Sequence, residues 1–283
     1  MYYIRSSVHF DRSCQNYIHG NLPLVDSYQQ VESPKGGFFM KNIAAIRVTD
    51  LTKMYGEKTA VDHLNLTVQE GEMFSLLGVN GAGKTTTIRM LSCLSTPTSG
   101  TAEVFGHDVT KEADMVKSLV GISTQDTAVA EKLTVEENLR FMAEIFDKNK
   151  DDADRVIKTF GLTEVRKKKA KTLSGGWKRR LSIAMAVIGN PKLLFLDEPT
   201  LGLDVLARRE LWKIIKEIKK NTTIILTTHY MEEAEALSDR IGIMIDGHMV
   251  MIGTLSELEE KTGKKGLEEV FIHVAEQGVG SYV

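Results

Sequence analysis

Cysteine is nearly absent from this 283-residue chain. The 2 present, Cys14 and Cys93, stand far apart without metal-type spacing. That scarcity argues against a disulfide scaffold and against a zinc site, and fits a reducing compartment. An excess of charge of either sign is also missing: 36 basic residues face 38 acidic ones, for a formal net of -2. Proteins held to nucleic acid by phosphate neutralisation carry a basic surplus, so no nucleic-acid partner is expected. No stretch reaches the ~18 consecutive apolar residues of a membrane helix. The opening residues, Met1 to Ser7, lack an uninterrupted apolar run, so no secretory signal is expected. Work at a membrane would need another chain to hold this one there. The length is enough to bury one large core or two modest ones.

Residues 1–41 differ from the rest. They are rich in aromatics (Tyr2, Tyr3, Phe10, Tyr17, Tyr28, Phe38, Phe39), show no sustained period, and are punctuated by Gly20, Pro23, Pro34, Gly36 and Gly37. They are expected to be an irregular, dispensable extension, with ordered patterning starting at about Met40. Beyond it, strands and helices alternate. Period-2 strands are expected over Ile46–Leu51 and Leu64–Val68, and buried apolar strands at Met73–Leu77, Leu193–Leu196, Thr223–Leu226 and Ile241–Ile245. Helices are expected at about 84–93, from a capping box at Thr134 to Phe146, and at 151–160, 177–189, 204–220 and 231–238. Such alternation implies an α/β fold with a parallel sheet covered on both faces, and a strand-poor helical block at about 127–190 inserted into it.

Two motifs carry chemistry. Gly78-Val79-Asn80-Gly81-Ala82-Gly83-Lys84-Thr85 fits G-x-x-x-x-G-K-[ST] at every fixed position, between an apolar strand and a helix. Glycines let backbone N–H groups close around phosphate oxygens, and the helix start adds its positive end. Lys84 suits the β- and γ-phosphates, and the Thr85 hydroxyl suits Mg²⁺. The candidate phosphate-binding set is Gly78, Asn80, Gly81, Ala82, Gly83, Lys84, Thr85 and Thr86. The bland alternative is a glycine-rich turn with a surface lysine. The second motif is an apolar strand ending in Asp197-Glu198. Ligands of open α/β sheets bind beyond the carboxyl ends of strands, where Asp197 can hold Mg²⁺ and Glu198 can polarise the attacking water.

At Leu173-Ser174-Gly175-Gly176-Trp177-Lys178-Arg179-Arg180 the sequence resembles the signature motif of ATP-binding cassette (ABC) proteins. Tyr55, Gln125, Asp204 in Gly-Leu-Asp and His229 in Thr-Thr-His agree with that family in order and spacing, over roughly residues 42–262. The resemblance implies a P-loop NTPase core of mainly parallel sheet, an N-terminal antiparallel β subdomain and an inserted helical subdomain. The nucleotide-binding domain would span 42–265, with a tail at 266–283. Tyr55 would stack on adenine, Gln125 would contact Mg²⁺ or the attacking water, and His229 would sense the γ-phosphate. Ser174, Gly175 and Gly176 would cap ATP held by a second nucleotide-binding domain, with Asp204 helping to organise that interface. Helix capping is the plain alternative for Asp204. Trp177 departs from the common Gln, and Val79 from a frequent Pro.

Among ABC proteins, a single head without coiled-coil insertion resembles a transporter's ATPase subunit rather than a soluble non-transport member. The segments Gly202–Trp212 and Leu267–Phe271 look like the drug- and antibiotic-resistance exporter group. That implies ATP and Mg²⁺, a separate multi-spanning permease as partner, and a place on the cytoplasmic face of the cell membrane. Import is the alternative. The basic run Arg166–Lys169 is read as a solvated face.

Overall fold

The computed structural model describes residues 44–278, together with the backbone of two short strands upstream. Those strands, β1 (Gln30–Glu32) and β2 (Phe38–Met40), pair antiparallel, with Gln30 opposite Met40, inside a unit covering Met1–Asn42. The rest of the segment expected to be irregular, including Cys14, lies outside the described residues.

The larger unit opens with the long strands β3 (Ala44–Tyr55) and β4 (Lys58–Gln69), then β5 (Met73–Leu77) and α1 (Lys84–Leu91). Next come β6 (Ser99–Val104), β7 (His107–Asp108), α2 (Ala113–Leu119) and β8 (Val120–Ser123). A helical block holds α3 (Val135–Ile145), α4 (Lys150–Thr159) and α5 (Gly175–Val187), joined by two 3₁₀ turns. The chain then alternates through β9 (Leu193–Asp197), α6 (Val205–Lys219), β10 (Thr223–Thr228), α7 (Met231–Leu237) and β11 (Arg240–Ile245). It closes with β12 (His248–Gly253), α8 (Leu255–Thr262) and α9 (Leu267–Gln277).

Two sheets result. The larger has the order β12-β11-β5-β10-β9-β8, parallel throughout except for the β11–β12 hairpin. The smaller, β4-β3-β6-β7, is antiparallel. The apolar runs follow from the layering. Along β9, Leu193 and Phe195 pack in a core shared with the antiparallel sheet and α1, whereas Leu194 and Leu196 point into a second core with α5, α6 and the helical block. Alternate residues serve opposite faces, and both faces are covered, so every position must be apolar.

Local signals place the helices. Thr134 and Glu137 form a reciprocal capping box at α3, and Asn149 accepts from the amides of Asp151 and Asp152 at α4. Leu211, Ile215 and Ile218 give α6 one buried stripe. Within the described residues, no helix is long and apolar enough to cross a membrane. The basic run divides: Lys167 to Lys169 are exposed, but Arg166 bridges Glu136 and Asp154. The segment read as a tail contains α9, whose Leu267, Val270, Phe271 and Val274 are buried against a third core with Leu258 and Ala234. Their i, i+3, i+4, i+7 spacing is that of a packed helix.

Candidate functional site

Strand order brings the chemistry together. β5, β10 and β9 are adjacent and parallel, so the loops after all three emerge at one edge. Register sets Thr228 beside Leu77 and Thr227 beside Asp197. The buried Thr227 hydroxyl donates to Asp197 Oδ1 at 2.6 Å and accepts from the Glu198 amide at 3.0 Å. From α1, the Thr85 hydroxyl donates to the same Asp197 oxygen at 3.1 Å. One carboxylate oxygen thus gathers two hydroxyls from different elements.

The loop between β5 and α1 forms a cradle that only small residues can make. A Cβ at Gly78 would lie 2.5 Å from the Met244 carbonyl oxygen. Gly83, with φ +104, would place one 2.5 Å from the Ala60 carbonyl oxygen. The start of α1 carries no side-chain cap and no acidic residue in its first turn. Its leading amides are therefore aimed at whatever anion occupies the cradle. Lys84 is 6% exposed, and its ammonium donates to the carbonyls of Gly78 at 2.7 Å and Val79 at 3.1 Å. It also lies 3.4 Å from Glu198 Oε1. The adjoining cavity, of about 400 Å³, is lined by Tyr55, Asn80, Gly81, Ala82, Gly83, Lys84, Thr85, Thr86, Gln125 and Glu198, with Lys58 and Ala60 beside them. This donor set fits a triphosphate with its divalent cation. It offers backbone amides and an ammonium for phosphate oxygens, and hydroxyl, amide and carboxylate oxygens for a hard metal.

Glu198 is held under constraint. Its φ of 49 lies in a region that non-glycine residues seldom occupy. Its carboxylate accepts from His229 Nδ1 at 2.7 Å, so one buried carboxylate faces both the lysine and the histidine. Behind it lies Arg179, only 4% exposed. Its guanidinium donates to the carbonyls of Pro199 (2.8 Å), Thr124 (2.6 Å), Gln125 (3.1 Å) and Asp197 (2.5 Å). Arg179 thereby pins the Gln125 loop to the Asp197-Glu198 turn. Burial pulls its pKa below the ordinary arginine value, while Asp197, Glu233 and Glu198 oppose the shift. Arg179 carries no role in the motifs read from the sequence. The available signal was its place on the α5 face that also buries Ser182 and Ile183.

Comparison with known proteins decides the family. Residues 61–201 match the family described as ABC transporter. The chain is 43% identical over 228 residues to the daunorubicin/doxorubicin resistance ATP-binding protein DrrA of Streptomyces peucetius, covering 79% of this chain and 69% of that protein. It is 40% identical to the linearmycin resistance ATP-binding protein LnrL of Bacillus subtilis (strain 168), covering 77% and 72% respectively. The chain belongs to the ABC transporter family.

It also matches larger members, spanning only 27% of ABC transporter A family member 9 of Dictyostelium discoideum at 42% identity. A solved ATP-binding subunit of an ABC transporter superposes with TM-score 0.74 at 28% identity, over 82% of this chain and 99% of that one. A dimeric ATP-binding cassette in a post-hydrolysis state with ADP and Pi superposes with TM-score 0.67 at 25% identity, over 74% and 98%. This ABC protein is an ATPase, with the α/β architecture expected from its sequence.

Not every expected residue joins this ABC protein's cavity. Gly78, Asp197 and His229 reach it through their hydrogen bonds to Lys84, Thr85 and Glu198. Gln125 lies two residues beyond the end of β8. Ser174, Gly175 and Gly176 open α5 elsewhere, outside the cavity lining. Asp204 caps α6, accepting from the Ala207 amide at 2.9 Å. Trp177 packs on the core below the helical block, with the Arg180 guanidinium 4.9 Å from its ring.

Proposed function

We propose that this chain is the energy-supplying ATPase of an exporter, working as one of two nucleotide-binding heads beneath a separate multi-spanning permease. The observation that carries the pairing is the start of α5. Ser174 and Gly175 are exposed, the helix has no side-chain cap and no acid in its first turn, and its start does not line the cavity beside Lys84. An uncapped helix start with two glycines is an anion site, and a second copy brings the anion. The exporter assignment rests on relatives named as drug- and antibiotic-resistance ATP-binding proteins. Through its permease, the chain would sit peripherally on the cytoplasmic face of the membrane.

In this reading Gly78, Asn80, Gly81, Ala82, Gly83, Lys84 and Thr86 hold the phosphates, and Tyr55, 48% exposed at the cavity mouth, offers a face to the base. Thr85, Asp197 and Gln125 would hold Mg²⁺, which neutralises phosphate charge when bound. Glu198 orients and polarises water, and His229 fixes the carboxylate and meets the γ-phosphate. Lys84 and Glu198 face each other at 3.4 Å. Phosphate oxygens compete for the ammonium and leave the carboxylate free to act on water.

Co-expression with a multi-spanning membrane protein from a neighbouring reading frame tests the reading. Recovery in the membrane fraction should require that protein, and inside-out vesicles holding both should accumulate a drug-like substrate with MgATP. A neighbouring gene for a soluble binding protein, with uptake instead of export, would refute the exporter assignment.

A further inference from the structure

The ATPase reading leaves a deeply buried acid unused. Glu233, on α7 four residues after His229, is 1% exposed. Its Oε1 accepts from the Trp212 indole on α6 at 3.0 Å. Its Oε2 is buried without a hydrogen-bond partner, as is the hydroxyl of Thr200, two residues after Glu198. The hydroxyls of Thr200 and Thr228 face this carboxyl, and the charge of Glu198 is near enough to act on it. Glu233 therefore touches the three segments that aim the site: the turn after Glu198, the end of β10 before His229, and α6.

We propose that Glu233 is a positioning residue for hydrolysis: a buried carboxyl clamped by Trp212 that holds the 198–200 turn and the His229 loop in the geometry that pairs His229 with Glu198. The inference rests on the assignment of Glu198 and His229 to the chemistry. Apolar surroundings favour the neutral acid over the carboxylate. Burial accordingly pushes this pKa up, against the opposing pull of the Thr228 and Thr200 hydroxyls and the Trp212 indole. A neutral acid offers Oε2–H as a donor to the Thr200 hydroxyl that faces it. The requirement is one of shape and hydrogen bonding rather than charge, so a carboxamide can meet it.

Steady-state phosphate release against MgATP concentration tests this. Glu233→Ala should lower kcat roughly 10- to 100-fold, the range for a small misplacement of reacting groups, with the KM for ATP unchanged. Glu233→Gln should recover most of that loss. An alanine variant with the kcat of the parent protein overturns the proposal, as does a glutamine variant as impaired as alanine. If Glu233→Ala does not fold, Trp212→Phe takes its place: a fall in kcat at constant KM supports the clamp, and an unchanged kcat overturns it. Glu198→Gln run alongside separates the two claims. Retained turnover there means the catalytic assignment has failed, whatever Glu233 does.

Discussion

Replacing Glu198 with Gln isolates the water-activating step. The side chain is 6% exposed and fixed between Lys84 Nζ at 3.4 Å and His229 Nδ1 at 2.7 Å, so an amide of equal size fits without repacking. General-base removal costs roughly 10²–10⁴ in rate, or about 3–5 kcal/mol of barrier. Binding should respond in the opposite direction. At 3.4 Å the carboxylate attracts the ammonium with about 5 kcal/mol at an effective dielectric near 20, an attraction that desolvation reduces. The phosphates must displace this contact, and in Glu198→Gln the charge that opposes them is gone. ATP affinity should therefore equal or exceed that of the parent, and a nucleotide-bound closed dimer should accumulate. Phosphate release at saturating MgATP measures the first effect, titration with a fluorescent ATP analogue the second, and size-exclusion chromatography the third. Turnover within tenfold of the parent, or loss of ATP binding, would refute this account of the site.

Ser174→Arg should abolish hydrolysis while leaving ATP binding to the monomer intact, because that residue lies outside its own chain's cavity; turnover at the parental rate would remove the case for a cap across subunits. Arg179→Met keeps the apolar stem but strands the carbonyls of Thr124, Gln125, Asp197 and Pro199, and should cost roughly 3 kcal/mol in urea unfolding along with most of the activity. In the helical block, the Arg166 fork and its charge hold the Glu136 pKa down at about 2. A carboxylate depressed on folding contributes stability that is full above its unfolded pKa near 4.5 and fades as pH falls toward 2. Arg166→Ala should therefore lower stability by about 1 kcal/mol at pH 7, and the difference should vanish in acid unfolding near pH 2.

Much of this protein was legible in one dimension. Wholly apolar segments such as Leu193–Leu196 must lie in a doubly covered sheet, and Gly78 and Gly83 ahead of Lys84 sit where a Cβ has no room. The cap at Thr134 is local chemistry, and so was readable as spacing. Long-range placement was not. Strand order alone sets β10 between β5 and β9, which turns Thr227 into the link between Asp197 and Glu198. Arg179 looked like one more charge on a basic helix until packing drove it under the Glu198 turn. Glu233 carries no motif, and only packing buries it against Trp212. Periodicity and covalent geometry act between neighbours along the chain, so sequence alone located the apolar strands and most of the helices around them and named the candidate ligands. Burial and hydrogen bonding join residues far apart in sequence, so only the tertiary structure decided which of those groups meet.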